Sequence, residues 1–251
     1  MDCPKTMPET AERRKQGAAV RERFVRVRED VAEAALRAGR NPAQVRLMAV
    51  TKTVDEWLIR EAVEAGTDLL GENKVQEIQR KRGNLPPAEM HLIGHLQRNK
   101  AAKAAECADM IQSLDSVALA RELSAAGGKL GRTIPVLLEV NIGRDEAKFG
   151  FPPEQTAAAL EEIMRLPCLS VRGLMTVPPF LADERQTRAF FSQMMQLFID
   201  IRDKTLDNIS KEAHAMEVLS MGMSGDYPWA IAEGSTLVRV GTAIFGMRDY
   251  R

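Results

Sequence analysis

Eight times between Val45 and Val240, a short β-rich apolar run ends in small or polar residues, and segments of helical period lie between the runs. The runs are Val45 to Val50, Thr67 to Leu70, Met90 to Ile93, Met110 to Leu114, Ile134 to Val140, Leu169 to Met175, Met216 to Leu219 and Thr236 to Val240. Between them, Glu56 to Ala65, Ala101 to Ala108, Glu154 to Leu166 and Gln186 to Ile201 carry apolar residues at helical spacing. Strands separated by helices pair in parallel through right-handed crossovers, because a parallel neighbour needs a long connection. Eight such units in 251 residues fit a closed (β/α)8 TIM barrel. An open doubly wound sheet would carry a glycine-rich turn after its first strand, and here that turn is Thr51-Lys52-Thr53-Val54. The α/β barrel is the expected fold, spanning about residues 45–250 in a single domain of residues 1–251.

Ahead of the barrel, a segment from Glu9 to Ala38 places Val20, Phe24, Val27, Val31, Ala35 and Leu36 at helical spacing and then meets Gly39, Asn41 and Pro42. An extra N-terminal helix packed outside the barrel is expected. Lys and Arg total 35, as do Asp and Glu, and no block of five like charges occurs. Nothing in that balance points to nucleic acid or an anionic membrane surface. No apolar stretch approaches the roughly 18 residues of a membrane span, and Met1 to Lys5 lead into charge instead of a secretory apolar core. Cys3, Cys107 and Cys168 are odd in number and far apart, which makes neither a disulfide framework nor a metal motif. A reduced, cytoplasmic setting is the expectation.

Barrel enzymes build their sites at the C-terminal ends of the strands. The residues there form a polar ring: Lys52; Glu72 and Asn73; His95 and Gln97; Ser113 and Asp115; Asn141; Met175 and Thr176; Ser220 to Ser224; Gly241 and Thr242. Side chains alternate along a strand, so if Met48 and Val50 face the barrel interior, Lys52 does too. A lysine partly desolvated in a barrel mouth has an amine available to attack a carbonyl, as in Schiff-base chemistry. Ser220-Met221-Gly222-Met223-Ser224-Gly225-Asp226 and Arg239-Val240-Gly241-Thr242-Ala243 follow strands seven and eight, where barrels hold phosphates on backbone N–H groups and hydroxyls. Lysine and phosphate loops together point to pyridoxal 5′-phosphate (PLP). Arg239, inside an apolar strand, needs an acid such as Glu72 or Glu139, or a ligand. His91 and His95 have i, i+4 spacing but no nearby third ligand for a metal.

Several motifs resemble those of the PLP homeostasis protein family. They are Ala49-Val50-Thr51-Lys52-Thr53, Gly71-Glu72-Asn73-Lys74-Val75-Gln76-Glu77, the stretch from His91 to Lys100, Arg172-Gly173-Leu174-Met175, Leu219 to Ser224, and Gly234 to Gly246. The likeness runs from about Val45 to Tyr250 and leaves out the N-terminal helix. It implies a barrel like the N-terminal domain of alanine racemase, fold type III among PLP proteins, with Lys52 as the Schiff-base lysine. Ser224, Gly241 and Thr242 would match phosphate-binding positions, Arg239 would lie by the pyridine nitrogen, and Asn73 and Met175 would line the ring pocket. Asp226-Tyr227-Pro228-Trp229 departs from the family's usual stretch there.

The resemblance implies a carrier or buffer of PLP that influences amino-acid and keto-acid balance, with PLP-dependent apo-enzymes as recipients, as a monomer or weak dimer. The alternatives are a PLP-dependent racemase and a sugar-phosphate enzyme acting through a lysine imine. A racemase needs a second acid or base opposite the lysine. The only tyrosines are Tyr227 and Tyr250, and no residues remain after strand eight for a second, β-rich domain.

Overall fold

The computed structural model describes residues 11–179, 183–206 and 215–247. Eight strands, β1 (Arg46–Val50), β2 (Leu69–Glu72), β3 (Glu89–Leu92), β4 (Met110–Leu114), β5 (Ile134–Glu139), β6 (Leu169–Met175), β7 (Val218–Ser220) and β8 (Leu237–Val240), close into one barrel in chain order. Every pairing is parallel, and β8 returns to β1 with Arg239 beside Met48. The helices are α1 (Ala11–Arg37), α2 (Glu56–Glu64), α3 (Val75–Arg82), α4 (Ala101–Cys107), α5 (Val117–Leu130), α6 (Pro153–Met164), α7 (Glu184–Leu206), α8 (Tyr227–Ala232) and α9 (Thr242–Phe245). This is the expected TIM barrel, with two strands shifted from their sequence reading. β2 starts two residues late because the Thr67 N–H donates back to Ala62 O and closes the end of α2. β7 also starts late, where Gly173 lets two backbones touch: a Cβ there would lie 1.8 Å from Val218 O.

Alternation sorts the strand residues into two layers. Ala49, Leu70, Leu92, Ile111, Leu138 and Leu174 join the large core between strands and helices, whereas Met48, Val50, Leu69 and Leu237 form a separate cluster inside the barrel. Helix α1 buries Val20, Phe24, Val27, Val31 and Ala35 against the outside, each large side chain contributing roughly 1.5–3 kcal/mol. Leu36, expected on that stripe, is 64% exposed. The helix packs on α2, α8 and α9, and Arg23 Nε donates to Ile244 O at 2.6 Å. Just beyond it, Arg40 Nη1 donates to Ile231 O and Ser235 O, both at 2.7 Å. Among the described residues no helix is long and apolar enough to cross a membrane. Cys107 and Cys168 are free thiols; Cys3 and Tyr250 lie outside the described residues.

Candidate functional site

The turn after β1 is clamped from below by α3. Lys81, on the face that also buries Val75 and Ile78, is fully buried. Its ammonium donates to Thr51 O at 2.8 Å, Glu72 Oε1 at 2.7 Å and Glu77 Oε2 at 3.2 Å. Glu77 Oε2 also accepts the Thr53 N–H at 3.0 Å, and Thr51 Oγ1 donates to Glu72 Oε1. The backbone on both sides of Lys52 is therefore tied to one buried ion cluster, with Thr53 held at φ 58°. Burial pushes the Glu72 carboxyl above its ordinary range in spite of Lys81. Burial also opposes ionisation of Glu77, but the Thr53 N–H and Lys81 hold it below its ordinary value. Lys52 Nζ makes no hydrogen bond or ion pair with any described residue.

Beyond β8, the barrel neighbour of β1, Asp226 Oδ1 accepts the Met223 N–H and shapes the loop after β7. The backbone N–H groups of Ser224 and Gly225 are left without partners among the described residues. Ser224 Oγ accepts from Gly241 N at 3.2 Å and Ala243 N at 3.4 Å, which leaves its own proton to donate elsewhere. Gly222 holds φ 94°, and a Cβ there would meet Ala230 Cβ at 2.6 Å, so the loop requires glycine at this point.

Arg239 lines the same space and is 4% exposed. Its Nη1 donates to Ser220 Oγ at 2.7 Å and its Nη2 to Thr176 O at 2.8 Å. Burial draws the guanidinium down to about 10, against the opposing influence of Glu139 and Asp226, so it is cationic at neutral pH. Neither expected acid forms an ion pair with it: Glu72 is bound to Lys81, and Glu139 acts only at longer range. A cavity of about 460 Å³ brings together Lys52, Asn73, Ser224, Arg239, Gly241 and Thr242, with Val50, Ile93, Val177, Met223 and Gly225. Met175 is not among these residues; at 1% exposure it is buried in β6, in register with Glu139 and Ser220. Gly94 sets the Asn73 wall, since a Cβ there would lie 2.5 Å from Asn73 O.

The model of the alanine racemase N-terminal domain matches residues 25–249. A curated pyridoxal phosphate homeostasis protein of Aquifex aeolicus is 38% identical over 91% of this chain and 98% of its own. The chain belongs to the pyridoxal phosphate homeostasis protein family. Another member, from Escherichia coli, is 34% identical over 90% of this chain and 96% of its own. Coverage this wide takes in part of α1, so the likeness reaches further toward the N-terminus than Val45. Among solved structures, PipY of Synechococcus elongatus with PLP bound superposes with a TM-score of 0.74 at 39% identity, over 86% of this chain and all of PipY. An alanine racemase of Clostridium difficile shares the fold at 15% identity and a TM-score of 0.65, with 82% of this chain covering 53% of the racemase.

In this member of the homeostasis protein family the free groups suit an aldehyde-bearing aromatic phosphate. Unpaired N–H and O–H donors, an unpaired amine and a donor-only guanidinium all line the cavity. Tyr227 points elsewhere: it is buried in the outer core, and burial and Asp30 of α1 raise its hydroxyl pKa. His91 and His95 part company, His91 bonding Gln112 in the interior and His95 bonding Asp115 Oδ2 at 2.8 Å while its ring stacks on Phe149. Among the described residues no three metal-ligating side chains gather. Glu139, weighed from sequence only as an acid for Arg239, stands at the mouth end of β5 with its carboxyl raised to about 7, first by burial and then by Asp115. Its signal was an acid closing an apolar strand.

Proposed function

We propose that this chain binds PLP in the cavity beneath the loops after β7 and β8, as a single-domain homeostasis protein that buffers or carries the cofactor. Lys52 would hold it through Nζ as a Schiff base. Ser224, Gly241 and Thr242 would take the phosphate, Arg239 the ring nitrogen and Asn73 the ring edge, with Met175 backing the pocket from β6. One observation carries the reading: Lys52 Nζ, with no protein partner, faces the same cavity as the free donors of Ser224 and Gly225. The PLP-bound PipY relative supports it. PLP supplies an electrophilic carbonyl and an electron-withdrawing ring. Arg239 donates and cannot yield a proton, so it keeps a facing ring nitrogen unprotonated and weakens that electron sink. Holding PLP in reserve for apo-enzymes, and through it amino-acid and keto-acid balance, fits such a site better than turnover does. The proposed setting is the cytoplasm, and the proposed form a monomer or weak dimer.

Borohydride reduction of the PLP-loaded protein followed by peptide mapping tests the attachment. The adduct is expected on Lys52; a label mainly on Lys100, Lys148 or another lysine overturns the assignment.

The observation that favours the racemase reading is Glu139, near neutrality at the mouth, where a group of that pKa could exchange a proton.

A further inference from the structure

Polar groups inside the barrel form a continuous line. Arg239 Nη1 donates to Ser220 Oγ at 2.7 Å, Ser220 Oγ donates to Gln112 Oε1 at 2.7 Å, and Gln112 Nε2 meets His91 Nδ1 at 2.9 Å. His91 Nε2 then lies 3.4 Å from Glu89 Oε2, which also accepts from Arg46 Nη1 at 2.9 Å near the far rim. Arg239 is 4% exposed, His91 2%, and Ser220 and Gln112 not at all. Strands β7 and β4 are not neighbours in the barrel, so the Ser220–Gln112 bond crosses its interior.

With the Gln112 carbonyl facing Ser220, the line has a single sense. Arginine only donates, so Ser220 Oγ accepts from it and offers its own proton to the Gln112 carbonyl. The Gln112 amide nitrogen is left to donate to His91 Nδ1, which places the neutral imidazole's proton on Nε2, aimed at the Glu89 carboxylate. That interaction is the leading cause of the low Glu89 pKa of about 2. Arg239 is thus oriented by two neutral acceptors, Ser220 Oγ and Thr176 O, and by no carboxylate within ion-pair distance among the described residues. Its Nε makes no hydrogen bond there and remains free.

We propose that Gln112 is a positioning residue: by fixing the Ser220 hydroxyl, it fixes the direction in which Arg239 donates into the cavity. This rests on the reading that a PLP ring nitrogen faces Arg239. Glu89 and His91 anchor the other end of the line, so orientation at the mouth depends on groups at the opposite end of the barrel.

The test uses the full chain freed of PLP, titrated with PLP and with its 1-deaza analogue, in which C–H replaces the ring nitrogen. Wild type should prefer PLP, and Arg239→Leu should abolish that preference. Gln112→Leu and Ser220→Ala should each cut the preference about three- to tenfold while leaving affinity for the analogue near wild type. Ser220→Ala carries the same readout if Gln112→Leu does not fold. Loss of preference in Arg239→Leu but not in the other two overturns the role of Gln112 and leaves the site reading standing. Equal weakening of both ligands by Gln112→Leu and Ser220→Ala shows a merely structural role and overturns it too. An unchanged preference in Arg239→Leu overturns the placement of the ring nitrogen, and the proposal with it. Independently of any cofactor, ¹⁵N NMR of the ligand-free protein should show His91 as the Nε2–H tautomer at neutral pH; the Nδ1–H tautomer contradicts the line's direction.

Discussion

Lys81 Nζ and Glu72 Oε1 stand 2.7 Å apart with both side chains fully out of solvent. An ion pair this deep is held in place by its extra hydrogen bonds more than by the Coulomb attraction, which desolvation largely cancels. Here those bonds go to Thr51 O and Thr51 Oγ1, so the pair is also the support of the turn that carries Lys52.

Breaking one side of it should be severe. Lys81→Met is expected to lose roughly 3–5 kcal/mol in urea unfolding, because the buried Glu72 carboxyl is left without its cation, with one oxygen, Oε2, already lacking a partner. The double variant Lys81→Met, Glu72→Leu should recover much of that loss. A single variant as stable as wild type contradicts the clamp.

Hydroxyls in the two loops should act on the phosphate in particular. Ser224→Ala or Thr242→Val is expected to weaken PLP binding about tenfold or more, from roughly 1.5–3 kcal/mol per charge-assisted hydrogen bond. Pyridoxal, which has no phosphate, should bind the variants as it binds wild type. Equal losses for both ligands in a titration would mean that the loops act through folding.

Glu139 gives the protein a pH dependence of known sign. Its folded pKa of about 7 lies above the ordinary carboxyl value, so the folded state binds the proton more tightly. Its contribution to stability is present at low pH and is lost as pH rises toward 7. Glu139→Gln should therefore raise stability at pH 8 by roughly 1–3 kcal/mol, with the gain shrinking toward pH 5. A gain independent of pH in chemical unfolding would assign the effect to packing.

Racemisation is expected to be absent at enzymatic rates. Alanine in heavy water, followed by NMR, should exchange its α-hydrogen no faster with the protein than with free PLP. Fast exchange that Lys52→Ala abolishes and Glu139→Gln slows would establish a catalyst instead of a carrier.

The barrel was legible because strand and helix periods alternate so regularly, and Lys52 because inward positions recur every second residue from Met48. The loops after β7 and β8 announced themselves through small residues in the right order. What stayed hidden depends on contacts between distant segments. Lys81 sits in Gln79-Arg80-Lys81-Arg82 and looks like part of a solvated helix end. Only its spacing from Val75 and Ile78 hints at burial, and Glu72 on β2, together with Glu77 and Thr51 O, makes that burial tolerable. Gln112 is one of two adjacent polar residues in an apolar run, and its partners are 21 and 108 positions away. Tyr227, which directly follows the phosphate-side loop in sequence, is the first residue of α8 and packs toward α1.

The seam between α1 and α9 also bears on how the chain is made. Arg23 and Ile244 are 221 positions apart, so at 5–20 residues per second a ribosome needs roughly 10–45 s between them. During that interval the apolar stripe of α1 lacks the surfaces of α8 and α9 that will cover it. This helix is therefore a natural point of contact for chaperones during synthesis, and its docking is a late step that staples the last unit to the first.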